Sequence, residues 1–197
     1  MDNKQEDRRI RRTKKLLKSG FASLMKEKEF KDIRVKDITD LVDLNRGTFY
    51  LHYNDTYDLL EKIENEVLDD FQTMIDTYRP QVDGHSMLPV IAPIVDYIVD
   101  NLEVCRVLFQ NKTSNDFWEK FQKLIRKNGV SMIRMTYPNY NQEYLDYFFS
   151  FVTTGILGLI KEWFDTEMRL PKNELVLVSD KLISATATSI LNKNSTC

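Results

Sequence analysis

The apolar residues of the first 55 positions recur at the spacing of three helices. The longest pattern, between Asp7 and Lys28, comprises Leu17, Phe21, Leu24 and Met25. These positions fall at i, i+4, i+7 and i+8, which places them on one face of a helix. A short second helix is predicted from the period formed by Val35, Ile38, Leu41 and Val42.

The break Asp43-Leu44-Asn45 separates the second pattern from a third. The side chain of Asn45 can accept hydrogen bonds from the free N–H groups that open a helix, so we predict a third helix from Asn45 to about Tyr53. Two short helices joined by a tight turn indicate a helix-turn-helix.

Helical patterns also fill the rest of the chain. Asn54-Asp55-Thr56 caps a long helix that reaches about Tyr78, and the stretch from Arg79 to Ser86, which contains Gly84, is predicted to be a loop. Further helices are predicted at 87–102, 102–109, 116–135, 144–164 and 174–191. The 144–164 pattern is apolar almost all round, which predicts burial on both of its faces. With only 6 Gly and 5 Pro in 197 residues, an all-α fold of about nine helices is expected.

The composition argues against a secreted, membrane-bound or catalytic protein. Cys105 and Cys197 are far apart, so they indicate neither a disulfide framework nor a metal site, and they fit a reducing compartment. The charged start of the chain is no secretory signal, and the apolar stretch 147–160 is too short to span a bilayer. A cytoplasmic location is therefore expected.

An enzyme is disfavoured because the chain lacks the usual catalytic groupings. His52 and His85 are the only two histidines, and neither cysteine has a nearby base. We see no glycine-rich phosphate loop and no set of residues with metal-ligand spacing. We expect no catalytic residue, no metal and no cofactor.

The net charge of −2 conceals an asymmetry along the chain. Residues 1–55 contain 14 Lys and Arg against 10 Asp and Glu, whereas the remainder contains 14 against 20. A basic first segment on an acidic body is typical of a protein with one polyanion-binding end, although charge alone also fits an ordinary solvated surface.

The segment 35–60 resembles the DNA-binding domain of the TetR family of transcriptional regulators. That family's recognition helix has the pattern Thr-(apolar)-Tyr-x-His-(Phe/Tyr), followed by a capped helix with a Leu pair. This chain matches it in order and spacing with Thr48, Phe49, Tyr50, His52 and Tyr53, then Leu59 and Leu60. The stretch 155–164 resembles the C-terminal region of Firmicute-type members, including regulators of dihydroxyacetone kinase operons.

This resemblance implies a helix-turn-helix DNA-binding domain at 1–54 and a helical domain for dimerisation and effector binding at 55–197. The implied function is that of a transcriptional regulator, expected to be a repressor, which binds a palindromic operator as a dimer and responds to a small molecule. The alternative is a regulator or activator whose body docks a protein partner instead of a small ligand. A two-fold dimer would place its recognition helices about 34–36 Å apart on double-stranded DNA.

Major-groove recognition assigns roles to several residues around the turn. Arg46 can bind guanine bidentately, Asn45 can read adenine if it is not the helix cap, and Thr48 can meet a thymine methyl or a phosphate. Tyr50 and His52 suit phosphate contacts, while Gly47 lets the backbone approach DNA. The resemblance adds Leu51 at the groove and Lys36 at a base or phosphate, and Arg34 and the cations of the first helix would add salt-dependent affinity. Phe49 and Tyr53 are expected to be core.

One position departs from the family pattern. Many members have Lys at the start of the fourth helix, where this chain has Thr56. A helix N-terminus can still bind phosphate through its N–H groups, but Asp55 beside it is unfavourable.

The C-terminal two-thirds predict a dimer and a candidate effector pocket. The last two predicted helices have surplus apolar faces, which would form a four-helix interface in a homodimer, and Gly155 and Gly158 would allow close approach. The candidate pocket residues, each of which also fits plain core, are Phe71, Ile94, Phe109, Phe117, Phe121, Phe149 and Trp163.

Overall fold

The computed structural model describes residues 2–82, 86–110, 115–137 and 140–191. Within these ranges the chain forms nine α-helices and no strand, which confirms the all-α prediction. The helices are α1 Asp2–Glu27, α2 Val35–Leu41, α3 Arg46–Tyr50, α4 Thr56–Tyr78, α5 Leu88–Asp100, α6 Leu102–Gln110, α7 Asn115–Thr136, α8 Leu145–Asp165 and α9 Lys172–Leu191.

Most predicted helix bounds agree with these to within two residues. The prediction was wrong at the start of α1, which begins five residues earlier than expected, and at the end of α3, which is three residues shorter. In the expected loop, Arg79–Gln81 form a 3-10 turn. His85 and Gly84 in that loop, and the C-terminal Cys197, lie outside the described residues.

Packing divides the chain into two compact units. The first comprises the described parts of 1–67 and 101–113, and the second those of 68–100 and 114–197. The first unit therefore extends beyond the expected boundary at residue 54, since it includes the first half of α4 and also α6. Whether 1–54 and 55–197 divide the functions stays a prediction.

The core of the first unit is built by the predicted apolar faces. Leu17 and Phe21 of α1 are buried with Ile38 and Phe49. Where α1 meets α2, the backbones come so close that a Cβ at Gly20 would lie 2.5 Å from Cγ1 of Val42. The absence of a side chain at position 20 thus sets the distance between α1 and α2.

The second unit is a bundle in which α9 packs against α5 and α8. Asp180 of α9 accepts hydrogen bonds from the Met87 backbone N–H (2.5 Å) and the Ser86 hydroxyl (3.2 Å). A carboxylate at the start of α5 satisfies N–H groups that a helix leaves open. Trp163 donates from Nε1 to the Leu170 carbonyl at 2.7 Å, which fixes the turn between α8 and α9.

The expectation that α8 is buried on both faces was wrong for the single chain. Phe148, Phe149 and Val152 are buried in one apolar cluster, but Tyr147 is 78% and Phe151 is 60% exposed. The all-round apolar pattern therefore combines a core face with a second apolar face that this chain leaves open.

Candidate nucleic-acid interface

The turn between α2 and α3 is held from the α2 side. Thr39 is fully buried, and its backbone carbonyl accepts the Leu44 N–H at 2.9 Å. Asp43 adopts φ 51°, in the left-handed region that few residues other than Gly, Asn and Asp adopt. These contacts fix the direction in which α3 leaves the turn.

Asn45 is the N-cap of α3, which is one of the two roles predicted for it. Its Oδ1 accepts the Gly47 N–H at 2.7 Å. Bidentate recognition of adenine needs both the oxygen and the nitrogen of an amide, so the cap does not favour the adenine-reading alternative. A Cβ at Gly47 would lie 3.3 Å from the same Oδ1, which leaves little room for another residue there.

The first turns of α2 and α3 present two predicted cations to solvent. Arg46, the first residue of α3, and Lys36 of α2 are both exposed. Arg34 precedes α2, where its backbone N–H donates to Asp37 Oδ2 at 3.1 Å, and this hydrogen bond lowers the pKa of Asp37. Because only the Arg34 backbone is needed for that cap, its exposed guanidinium stays available to a partner.

Three consecutive residues at the end of α3 show how this helix packs on the core. Phe49 is fully buried, as predicted, while Tyr50 is exposed and Leu51 is 80% exposed. Thr48 is half-buried. Tyr53 is buried, and burial raises the pKa of its hydroxyl to about 12. The helix is anchored through Phe49 and Tyr53 and turns an outer face to solvent.

Lys62 of α4 contacts the candidate site, and sequence reasoning missed it. Its Nζ donates to the His52 carbonyl at 3.1 Å and to Asp58 Oδ2 at 2.9 Å, and it lies 5.4 Å from the Tyr53 ring centroid. It thereby holds the end of residues 46–53, the predicted recognition segment, to α4. The signal in the sequence was the i,i+4 spacing of Asp58 and Lys62.

His52 is half-buried and carries a lowered pKa. Burial is the main cause, and the positive charge of Lys14 on α1 is the second.

The start of α4 is occupied by its own carboxylates. Asp55 Oδ1 accepts the Asp58 N–H at 2.8 Å, and Asp58 Oδ2 accepts the Asn54 N–H at 2.7 Å. Thr56 is only 8% exposed. The geometry therefore does not favour Thr56 as a phosphate contact, because its side chain is covered and a neighbouring N–H group is already bonded.

The seven candidate pocket residues do not form one group. Phe71, Phe117 and Phe121 lie together, with ring centroids 6.4 Å apart between Phe71 and Phe121 and 6.2 Å between Phe117 and Phe121. Phe149 belongs to another cluster of the second unit, and Trp163 stacks on Phe164 beside the α8–α9 turn. Ile94 is half-buried on α5, and Phe109 belongs to the first unit.

A polar pair, formed by Gln72 and Asn128, lies on the two helices that carry the aromatic trio. The Gln72 amide donates to Asn128 Oδ1 at 3.2 Å, and Asn128 Nδ2 donates to Gln72 Oε1 at 3.0 Å and to the Leu124 carbonyl at 2.9 Å. Asn128 is buried, so the second unit contains hydrogen-bonding groups on the same helices as aromatic surface.

Neither a membrane-spanning segment nor a metal cluster emerges from the part of the chain that the structure describes. Over those ranges no helix combines the length and apolarity needed to cross a bilayer, and no group of three His, Cys, Asp or Glu is placed to hold a metal ion.

Comparison with known proteins identifies a matching family model and a relative of this chain. Residues 85–185 match a family model described as the transcriptional regulator C-terminal region of the TetR type. An uncharacterized HTH-type transcriptional regulator of Bacillus subtilis (strain 168), YxbF, is 39% identical over 59 residues, which are 29% of this chain and 16% of that protein. The match thus spans less than a fifth of that relative.

Solved structures of similar fold cover nearly the whole chain. A TetR transcriptional regulator from Streptococcus agalactiae 2603V has a TM-score of 0.58 at 20% identity, covering 91% of this chain and 99% of that one. The dihydroxyacetone kinase operon activator DhaS has a TM-score of 0.59 at 18% identity, covering 91% and 98%. The fatty acid degradation regulator FadR from Bacillus halodurans has a TM-score of 0.60 at 14% identity, covering 86% and 93%.

Proposed function

Because this chain belongs to the TetR family of transcriptional regulators, we propose that it is a homodimeric repressor that binds a palindromic operator and is released by a small-molecule effector. It acts in the cytoplasm, without a cofactor and without catalytic activity. The proposal rests on how α3 packs. Phe49 is buried, whereas Arg46 and Tyr50 of α3 and the next residue, Leu51, are exposed to solvent.

The side chains of α2 and α3 and of the residues beside them bind different parts of the DNA, according to their chemistry. Arg46 reads guanine, since it stands at the first turn of a helix that fits the major groove. Thr48 and Leu51 meet base edges or thymine methyl groups. Tyr50, His52, Lys36 and Arg34 bind phosphate and set the register of the protein on the duplex.

The homodimer forms through α8 and α9. The open face of α8 contains Tyr147 and Phe151. Apart from the chain neighbours and the backbone of α8 itself, no described atom lies within 4 Å of a Cβ placed at Gly155 or Gly158. Leu177 and Leu182 are exposed on α9. Two copies of this apolar surface would bury each other in a four-helix interface, which supports the dimer that a palindrome requires.

The effector binds in the second unit near the trio Phe71, Phe117 and Phe121. Aromatic surface with a few convergent polar groups is the usual lining of a small-molecule site, and the Gln72–Asn128 pair supplies such groups on the same helices. An effector that binds the DNA-free conformation better lowers DNA affinity by the same coupling free energy.

The test is a fluorescence anisotropy titration of the purified protein against duplexes from beside its own gene, at two salt concentrations, with unrelated DNA as the control. We expect tight, sequence-dependent binding with a stoichiometry of two chains per operator. Binding that is weak, equal on both DNAs and abolished by salt would contradict a sequence-specific regulator of that site.

A further inference from the structure

Helix α1 is much longer than its contacts with the core require. It begins at Asp2. Among the side chains described from position 8 onward, the first buried one is Leu17, and those at 8–16 are exposed except for the half-buried Thr13. At 1.5 Å per residue, the part of α1 before Leu17 is about 22 Å long. The core of the first unit therefore does not explain why the helix extends so far.

Residues 8–16, called the extension of α1 from here on, belong to the most cationic segment of the protein. Between positions 8 and 26 the sequence contains no Asp or Glu, and its first eleven positions contain seven cations: Arg8, Arg9, Arg11, Arg12, Lys14, Lys15 and Lys18. Lys18 pairs with Glu66 of α4. Such a density of positive charge, in a protein of net charge −2, is typical of a segment that binds a polyanion.

One side of the extension faces the recognition segment. Successive residues of a helix are rotated by about 100°, so residues three or four apart share a face and residues two apart lie on opposite sides. Lys14 lies three positions before the buried Leu17 and seven before the buried Phe21, so it shares the side of α1 that is buried with Ile38 and Phe49. Burial and, second, the charge of Lys14 lower the pKa of His52. Arg11 shares the face of Lys14, whereas Arg9 and Arg12 lie on the other side.

We propose that the amino-terminal extension of α1 is a second DNA-binding element, which lies along the phosphate backbone beside the half-site through the face of Arg11 and Lys14. This inference rests on the proposed function, because it takes the DNA to be seated on α3. A helix about 10–12 Å across cannot enter a minor groove about 6 Å wide. The extension therefore binds phosphates and lengthens the contacted DNA without reading its sequence.

The test uses the full-length protein and two matched double variants. Arg11→Gln/Lys14→Gln removes two charges from the proposed DNA-binding face, and Arg9→Gln/Arg12→Gln removes two charges with the same spacing from the opposite face. Gln is as good a helix former as Arg or Lys, so circular dichroism should show α1 intact in both. Affinity is measured by anisotropy on a duplex from beside the protein's own gene and on unrelated DNA, over a range of salt concentrations.

For Arg11→Gln/Lys14→Gln we expect the slope of log K against log salt to become shallower by about 1.8, since each lost phosphate contact contributes about 0.9. The loss should be the same on both DNAs, because phosphate contacts carry no sequence information. For Arg9→Gln/Arg12→Gln we expect less than a third of that change.

Four outcomes would overturn the inference. Equal losses in the two double variants would mean that net charge matters and the face does not. Unchanged DNA binding in both, with sequence-specific binding intact, would remove the extension from the interface while leaving the proposed function standing. Unchanged DNA binding together with lost binding to phosphatidylglycerol vesicles would assign the extension to a membrane surface. Failure of the wild-type protein to bind either DNA would overturn the proposed function as well.

Discussion

Neighbouring side chains of the recognition segment differ completely in their surroundings. Phe49 and Tyr53 are buried, and between them Tyr50 and Leu51 are exposed. This alternation follows from the short helix, in which positions four apart share a face. A substitution in this segment can therefore affect DNA binding without affecting the core, which makes single-residue tests informative.

Arg46→Ala should weaken specific binding by about 1–3 kcal/mol, the value of one bidentate guanine contact. Arg46 is exposed, so the free energy of unfolding should change little. Anisotropy against operator and unrelated DNA measures the effect, which should be far larger on the operator. Tyr50→Phe is the contrasting variant, since losing a hydroxyl–phosphate contact should weaken binding to all sequences alike. If Arg46→Ala lowered both affinities equally, Arg46 would be a phosphate contact and not a base reader.

DNA affinity should increase as the pH falls from 7.5 to 5.5, and His52 should be the cause. Burial and Lys14 lower the pKa of His52, so the free protein has a neutral imidazole at pH 7. A nearby phosphate favours the imidazolium and raises that pKa in the complex, so DNA binding takes up a proton in this window. The same lowered pKa makes the folded chain bind this proton less well than the unfolded chain, so its stability decreases as the pH falls below 6.5.

The measurement is the dissociation constant between pH 7.5 and 5.5. His52→Gln should make it independent of pH over that range, while His85→Gln should leave the dependence unchanged. A pH dependence that survives His52→Gln would assign the proton to another group.

The residue scale also shows where sequence reasoning was sufficient. The predicted core positions Phe49 and Tyr53 and the cap at Asn45 are confirmed, because a helical period and a capping residue are local signals. Lys62 was missed because its importance depends on where the end of α3 meets α4. That meeting is a matter of tertiary packing, which periodicity does not describe.

At the scale of elements, the start of α4 is where this chain departs from its family pattern. The helix N-terminus attracts anions, but Asp55 and Asp58 supply its negative charge from within the chain. This arrangement stabilises the helix, but the two carboxylates repel a phosphate that approaches its N-terminus. Helix starts were otherwise predicted well, whereas the early start of α1 was not, because no apolar period extends over 2–6.

Asp55→Asn should raise affinity for all DNA sequences several-fold while leaving thermal stability nearly unchanged. An amide oxygen at position 55 can still accept the Asp58 N–H, and Asn is as good an N-cap as Asp. Because the negative charge of Asp55 is removed, it no longer repels a DNA phosphate. Affinity for operator and unrelated DNA, with the melting temperature, measures both effects.

The matched control is Asp69→Asn, which makes the same change in net charge about 21 Å further along α4 at an exposed position. It should change affinity much less. An equal gain from both variants would show a general charge effect and remove the start of α4 from the interface.

At the scale of the whole molecule, the sequence predicted which faces are apolar but not what each face packs against. The seven candidate pocket residues separate into different clusters, and α6 joins the first unit instead of the second. Periodicity identifies a buried face without its partner. For the same reason, the apolar pattern of α8 could not distinguish a core face from a face that the single chain leaves exposed.

Phe151→Glu should convert the dimer to a monomer without unfolding it. Phe151 is 60% exposed in the single chain, so a charge there costs the monomer little, whereas two buried carboxylates at a two-fold interface would repel each other without a partner. Sedimentation equilibrium measures the mass, and circular dichroism checks that the helices persist.

Met135→Glu is the control, because Met135 is an exposed apolar residue of α7 in the same unit and lies off α8 and α9. It should remain dimeric. The Phe151→Glu monomer should also bind a palindrome no more tightly than a half-site, since a single recognition helix reads each half. If Phe151→Glu stayed dimeric and Met135→Glu did not, the second copy would dock on the α7 side, and the open face of α8 would need another partner.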